Sequence, residues 1–263
     1  MDKIRKRLDL ISKENRVGLM THVLVGYPDL EKTREIILAM DRAGADFIEL
    51  QIPFSDPIAD GPVILSANHE ALQSKVNLKD CLKIMQDLSG QTKAALIFMG
   101  YFNSILSFGV KKFLEKAKDS GASGLIFPDI PVDAQESKDF YEMSRRYDLA
   151  SIIVVSPLTT RQRLKEVSHY ATGLLYCVSN FGITGETDGL HEKFSNYLNQ
   201  AREIVKLPLV VGWGIRSKED IKKISPQAEV AIVGSEIIRR IDAQENFDPQ
   251  EIEEIVRSYR VVR

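Results

Sequence analysis

The chain has 263 residues, 44% of them hydrophobic and 27% charged, with a formal net charge of −2. That length suits one large α/β barrel or two ordinary domains, and the near-neutral balance offers no whole-protein attraction to nucleic acid or to an anionic membrane. No apolar run reaches the roughly 18 residues of a membrane span, and two distant cysteines, Cys81 and Cys177, speak against a disulfide framework or a structural zinc site.

At the N-terminus, MDKIRKRLDL carries apolar Ile4, Leu8 and Ile11 at helical spacing and no apolar core behind its basic residues. It therefore predicts an amphipathic helix rather than a signal peptide, and the chain is expected in the cytoplasm. Gly18–Val25 follows as a strand, then EKTREIILAMDRAG with a helical period. The alternation continues through strands at Asp46–Gln51, Ala94–Met99, Gly124–Pro128, Ser151–Val155, Gly173–Val178, Leu209–Val211 and Val230–Val233. Between them LKDCLKIMQDLSG, VKKFLEKAKDSG, DAQESKDFYEMSRRY, TRQRLKEVSHY, HEKFSNYLNQAREIVK and SKEDIKKI place apolar residues three or four apart. Short β-rich runs alternating with helices predict a parallel sheet. Eight of them at this length predict a (β/α)₈ TIM barrel, with an extra N-terminal helix, as a single domain over residues 1–263. A doubly wound sheet is the alternative, since periodicity does not show closure.

In a barrel, residues that follow the strands share one mouth. Those here include the segment FIELQIPFSDPIADGP, Phe47 to Pro62, in which a buried strand delivers Glu49 and an irregular loop carries Asp56 and Asp60. Two carboxylates in one mouth can be pushed to different pKa values, so that one gives a proton while another takes one. The same mouth receives Gly100–Asn103, Asp129–Pro131, Ser179–Gly185, Gly212–Gly214 and Gly234–Ser235. Glycine and small polar residues let backbone N–H groups approach an anion closely, and a helix N-terminus adds a favourable dipole. No histidine or cysteine has metal-ligand spacing, and no G-x-G-x-x-G or Walker pattern is present.

The segments FIEL-IPFSDPIADGP, GYFNSIL, GLIFPDIPVD, YCVSNFGITG, VVGWGI and AIVGSEII fall in the order and spacing of the tryptophan synthase α subunit. The resemblance runs from about Val17 to Arg240 and implies a retro-aldol cleavage of indole-3-glycerol phosphate to indole and glyceraldehyde 3-phosphate. It implies no metal or cofactor in this chain. A β subunit holding pyridoxal phosphate is the implied partner, in an α₂β₂ heterotetramer.

By the same resemblance Glu49 is the acid–base residue and Asp60 the carboxylate that hydrogen-bonds the indole nitrogen. Their bland alternatives are a strand-end ion pair and an ordinary turn aspartate. Thr184 and Gly185 match a closing loop, and Gly185, Gly214, Gly234 and Ser235 match a phosphate site. For Ser235 the plain alternative is a helix N-cap. Tyr176, Tyr101, Met99, Ile64, Ile153, Phe127 and Ile232 are candidate walls for the indole ring, with ordinary core as the competing role. Asp56, Asn103 and Pro131 match subunit-interface positions.

Four positions depart from the family pattern. Gln51 stands where glycine is usual, on the same strand face as Glu49 by period two. His22 replaces an aromatic wall residue, Trp213 a phenylalanine and Ser104 a proline. These changes keep open a catalytically weak partner that activates a β subunit, or a lyase or isomerase for another phosphorylated substrate.

Overall fold

The computed structural model describes residues 1–178, 188–212 and 214–263. Nine parallel strand segments form one sheet: β1 (Gly18–Leu24), β2 (Phe47–Gln51), β3 (Ala95–Met99), β4 (Gly124–Ile126), β5 (Ala150–Ser151), β6 (Ile153–Val155), β7 (Leu175–Val178), β8 (Leu209–Gly212) and β9 (Val230–Val233). The described helices are α1 (Asp2–Lys13), α2 (Leu30–Arg42), α3 (Pro62–Gln73), α4 (Leu78–Ser89), α5 (Phe102–Leu106), α6 (Val110–Asp119), α7 (Gln135–Arg146), α8 (Arg161–Tyr170), α9 (Asp188–Ile204), α10 (Lys218–Ile224), α11 (Ser235–Asp242) and α12 (Pro249–Ser258).

Closure, which periodicity left open, is decided by β1, which pairs with both β2 and β9. Nine segments replace the eight expected strands because one barrel position is interrupted. β5 pairs with β4 and β6 pairs with β7. Ile152 joins the two, and its N–H donates to Leu125 O on the β4 side at 3.0 Å. The chain thus hands its ladder from one neighbour to the other within six residues, and the barrel is nearly closed. Two predicted strands also begin or end short. Gly173 has φ +78, outside the extended region, so β7 starts only at Leu175. β4 stops before Phe127 and Pro128, where proline has no N–H for a ladder.

The strands are buried on both faces, as expected of a parallel sheet covered by helices. One core fills the barrel interior, with Met20, Phe47, Ile97, Ile152, Leu174 and Val210 among its members. A larger one lies between the strands and the helices. α1 closes the N-terminal end: Ile4 and Ile11 are buried in the interior core. A Cβ on Gly18 would stand 2.4 Å from Ile11 Cδ1, so the close seating of α1 depends on glycine there. Beneath the barrel, buried Asp46 takes Arg16 Nη1 at 2.5 Å, Arg7 and the Leu19 N–H at 2.9 Å.

Beyond the loop that carries Asp60, α3 adds a helix that the periodicity did not predict, with Pro62 in its first turn. Its Val63-Ile64-Leu65 run has no clean amphipathic spacing, because this short helix faces both the barrel mouth and solvent. Asn68 of α3 straps the preceding loop, accepting from Phe54 N–H at 3.0 Å and donating to Phe54 O.

Candidate active site

A cavity of about 300 Å³ opens at the C-terminal ends of the strands. Glu49 of β2, His22 of β1 and Tyr176 of β7 border it from the barrel wall, and Asp60 borders it from the β2–α3 loop. Gly214, Gly234, Ser235 and Arg239 border it as well. That volume is at the lower end of the range for small-molecule sites.

Glu49 is 3% exposed at the floor of this cavity. The parallel register puts it directly opposite His22, and His22 Nδ1 lies 3.5 Å from Glu49 Oε1. Burial opposes a charged imidazole, but the Glu49 contact and the charges of Glu49 and Asp60 outweigh it and raise the His22 pKa above the usual histidine value. His22 Nε2, Glu49 Oε2 and Gln51 Oε1 are all buried and have no hydrogen-bond partner among the described residues. Each such atom costs about 1–3 kcal/mol, so the two on residues that border the cavity, His22 and Glu49, mark a site prepared for a polar ligand rather than a satisfied core.

Asp60 is held from two sides. Gln51 Nε2 donates to Asp60 Oδ2 at 2.6 Å. The Ala59 N–H next to it donates to the Tyr101 hydroxyl at 3.0 Å. Burial pushes the Asp60 carboxyl above the usual carboxylate range, the Gln51 bond and the His22 charge pull it down, and the Glu49 charge pushes it up. The two carboxylates therefore feel each other in one cavity. Tyr101 was expected in the ring wall, but it is not among the residues bordering the cavity. It is buried behind the loop and stacks on Phe54 at 5.4 Å between ring centroids. Asp56 is exposed and also lies off the cavity, its carboxylate accepting from Ser55 Oγ at 2.5 Å.

On the β9 side, α11 starts with Gly234 at its N-cap and no capping side chain. Ser235 is the first helical residue, so the plain N-cap reading does not hold. A helix start without a cap leaves N–H groups free for an anion. Arg239, one turn further on, also borders the cavity and donates to Glu236 at 3.2 Å. Sequence reasoning passed over this arginine by relying on backbone donors alone; its spacing of four from Ser235 was the available signal. Glu236, in the first turn, is held by both Arg239 and Arg240, which offsets its charge beside the helix start. Thr184, Gly185 and Trp213 lie outside the described residues.

The model of the family described as "Tryptophan synthase alpha chain" matches residues 8–261. The chain belongs to that family. It is similar to the tryptophan synthase alpha chain of Desulfotalea psychrophila, 40% identical over 88% of this chain and 90% of that one. It is also similar to that of Petrotoga mobilis, 39% identical over 93% and 94%. The solved tryptophan synthase subunit alpha of Legionella pneumophila superposes with a TM-score of 0.88 at 30% identity, over 98% of this chain and 97% of that one. Tryptophan synthase alpha chains are lyases acting on indole-3-glycerol phosphate, and as a family they partner a β subunit.

Measured against what such a ligand needs, the apolar walls divide. Met99, Ile64, Ile232 and Tyr176 border the cavity, joined by Ile126, Val154 and Val178. Ile153 and Phe127 do not; both belong to the core between strands and helices, where Phe127 packs edge-on to Phe113 and Phe140. Because both strand faces are apolar, composition could not say which residues point inward. Gly212 keeps space beside the walls: a Cβ there would meet Ile232 Cγ2 at 2.9 Å and the Tyr176 hydroxyl at 3.0 Å. Among the described residues no helix is long and apolar enough to cross a membrane, and no group of three His, Cys, Asp or Glu side chains could hold a metal ion.

Proposed function

We propose that this member of the tryptophan synthase alpha chain family is itself a working lyase that splits indole-3-glycerol phosphate into indole and glyceraldehyde 3-phosphate. The observation that carries the reading is that Glu49 and Asp60 border one cavity that the uncapped start of α11 also borders. A substrate with a ring at one end and a phosphate at the other fits that polarity.

In this reading Glu49 gives a proton to indole C3, which becomes tetrahedral, and the ring nitrogen becomes positively charged. Asp60 accepts the hydrogen bond from that N–H and stabilises the charge. The Glu49 carboxylate then takes the proton of the C3′ hydroxyl. The C3–C3′ bond breaks, its electron pair restores the aromatic ring, and the hydroxyl carbon leaves as an aldehyde. General acid–base help of this kind is worth about 10²–10⁴-fold. Gly214, Gly234 and Ser235 would hold the phosphate through backbone donors. The chain needs no cofactor for these steps; pyridoxal phosphate would belong to the β subunit.

An α₂β₂ heterotetramer in the cytoplasm is the assembly this reading calls for. Supporting a docking face at the mouth, Ile58 is 83% exposed in the β2–α3 loop and Leu158, 81% exposed, follows β6. Release of glyceraldehyde 3-phosphate from indole-3-glycerol phosphate, with and without a β subunit, tests the proposal. Activity that rises strongly with the β subunit supports it. A folded protein silent in both conditions would leave a partner-only role or another phosphorylated substrate.

A further inference from the structure

His22 stands between the two halves of the site. On one side the β1–β2 register pairs it with Glu49. On the other, Thr21 pairs with Val233 of β9, so the next residue along is Gly234, at the start of α11. A Cβ placed on Gly234 would lie 3.3 Å from His22 Cβ, which confirms that adjacency. His22 is 4% exposed, borders the cavity, and among the described residues its ring makes one polar contact, from Nδ1 to Glu49. Its Nε2 is buried and has no partner among the described residues. An apolar side chain would fill this strand position without stranding a polar atom, so the second nitrogen implies a polar group supplied by the ligand.

We propose that His22 is a specificity-determining and positioning residue. Its Nδ1 orients Glu49 while its Nε2 hydrogen-bonds a hydroxyl on the chain that links the substrate's ring to its phosphate. The assignment rests on the lyase reading and adds to it the part of the substrate that Glu49, Asp60 and the phosphate cradle do not recognise. Among the described residues, the titratable or charged groups that border the cavity with His22 are Glu49 from β2, Asp60 from the β2–α3 loop, Tyr176 from β7 and Arg239 from α11; β9 presents Ile232 there, with Gly234 just beyond it. The Asp60 carboxylate, and the Glu49 carboxylate once its proton has been given, favour the imidazolium, a charge-assisted donor to a hydroxyl oxygen. Its deprotonation at higher pH should then weaken the enzyme, placing His22 on the basic limb of kcat/KM.

The test compares the enzyme with its β subunit, unmodified and as His22→Phe and His22→Gln. Two ligands are used: indole-3-glycerol phosphate, and 3-(indol-3-yl)propyl phosphate, which keeps the ring and phosphate but has no hydroxyls. His22→Phe is expected to lower kcat/KM about tenfold or more, the scale of one hydrogen bond to a charged group. It should flatten the basic limb and leave inhibition by the propyl phosphate within about twofold. His22→Gln, which can still donate, should recover part of the loss. Equal losses for both ligands, or an unchanged pH profile in His22→Phe, would overturn the assignment and make His22 a packing residue. Absence of cleavage by the unmodified complex would instead overturn the lyase reading itself, and this assignment with it.

Discussion

Gln51 Nε2 donates to Asp60 Oδ2 at 2.6 Å, joining the last residue of β2 to the loop that follows it. The bond ties down a carboxylate that would otherwise be set by loop geometry alone, and it favours the charged form against the burial that pushes the Asp60 pKa up. Removing it should raise that pKa further. With Gln51→Gly the acidic limb of kcat/KM is therefore expected to move to higher pH, and kcat near neutrality to fall about tenfold, the scale of one hydrogen bond to a charged group. A pH–rate series on the variant decides this; an acidic limb that stays in place or moves down would show that Gln51 does not tune Asp60.

Glu49→Gln keeps the shape of the cavity floor and removes the exchangeable proton. Cleavage is expected to fall by at least about 10²–10⁴-fold, while affinity for a ring-and-phosphate analogue and for the β subunit stays nearly unchanged. Calorimetric binding beside a product-release assay checks both halves, and retained turnover would remove Glu49 from the chemistry.

For Asp60→Asn the expected signature is a loss in kcat larger than any rise in KM. An amide can still accept a hydrogen bond from the ring nitrogen in the ground state, but it carries no charge to match the one that develops. Steady-state kinetics distinguishes the two parameters, and a loss confined to KM would count against a transition-state role.

Stability should be governed far from the site. Asp46 is fully buried and shared by Arg7, Arg16 and the Leu19 N–H, so Asp46→Ala takes a buried carboxylate from two guanidinium groups, of which Arg16 keeps Glu14. The expected cost is about 3–5 kcal/mol, read as a lower midpoint in urea unfolding. The catalytic constants of the folded fraction should not change, because Asp46 precedes β2 at the opposite end of the barrel from the cavity. A midpoint within error of the parent would show that the cluster is not a net stabiliser.

How far the sequence reached depends on whether a feature is local. A buried strand ending in an acid, a loop with Asp60 and a glycine before a helix are all written in consecutive residues. Gln51 could be placed beside Glu49 because strand side chains repeat every two positions. The strand-and-helix alternation likewise announced the barrel, since each βα unit is built from adjacent segments. The tertiary structure alone decided what depends on neighbours distant in the chain. Register between β1 and β2 put His22 against Glu49, and the route of the β3 end put Tyr101 behind the Asp60 loop rather than in the cavity. Which apolar residues face inward was settled the same way, sending Met99 and Ile232 to the cavity and Phe127 and Ile153 to the outer core. In a parallel sheet both faces are apolar, so the sequence carries no alternation to mark the inside; only closure of the sheet, with its long-range pairing of β1 to β9, defines an interior at all.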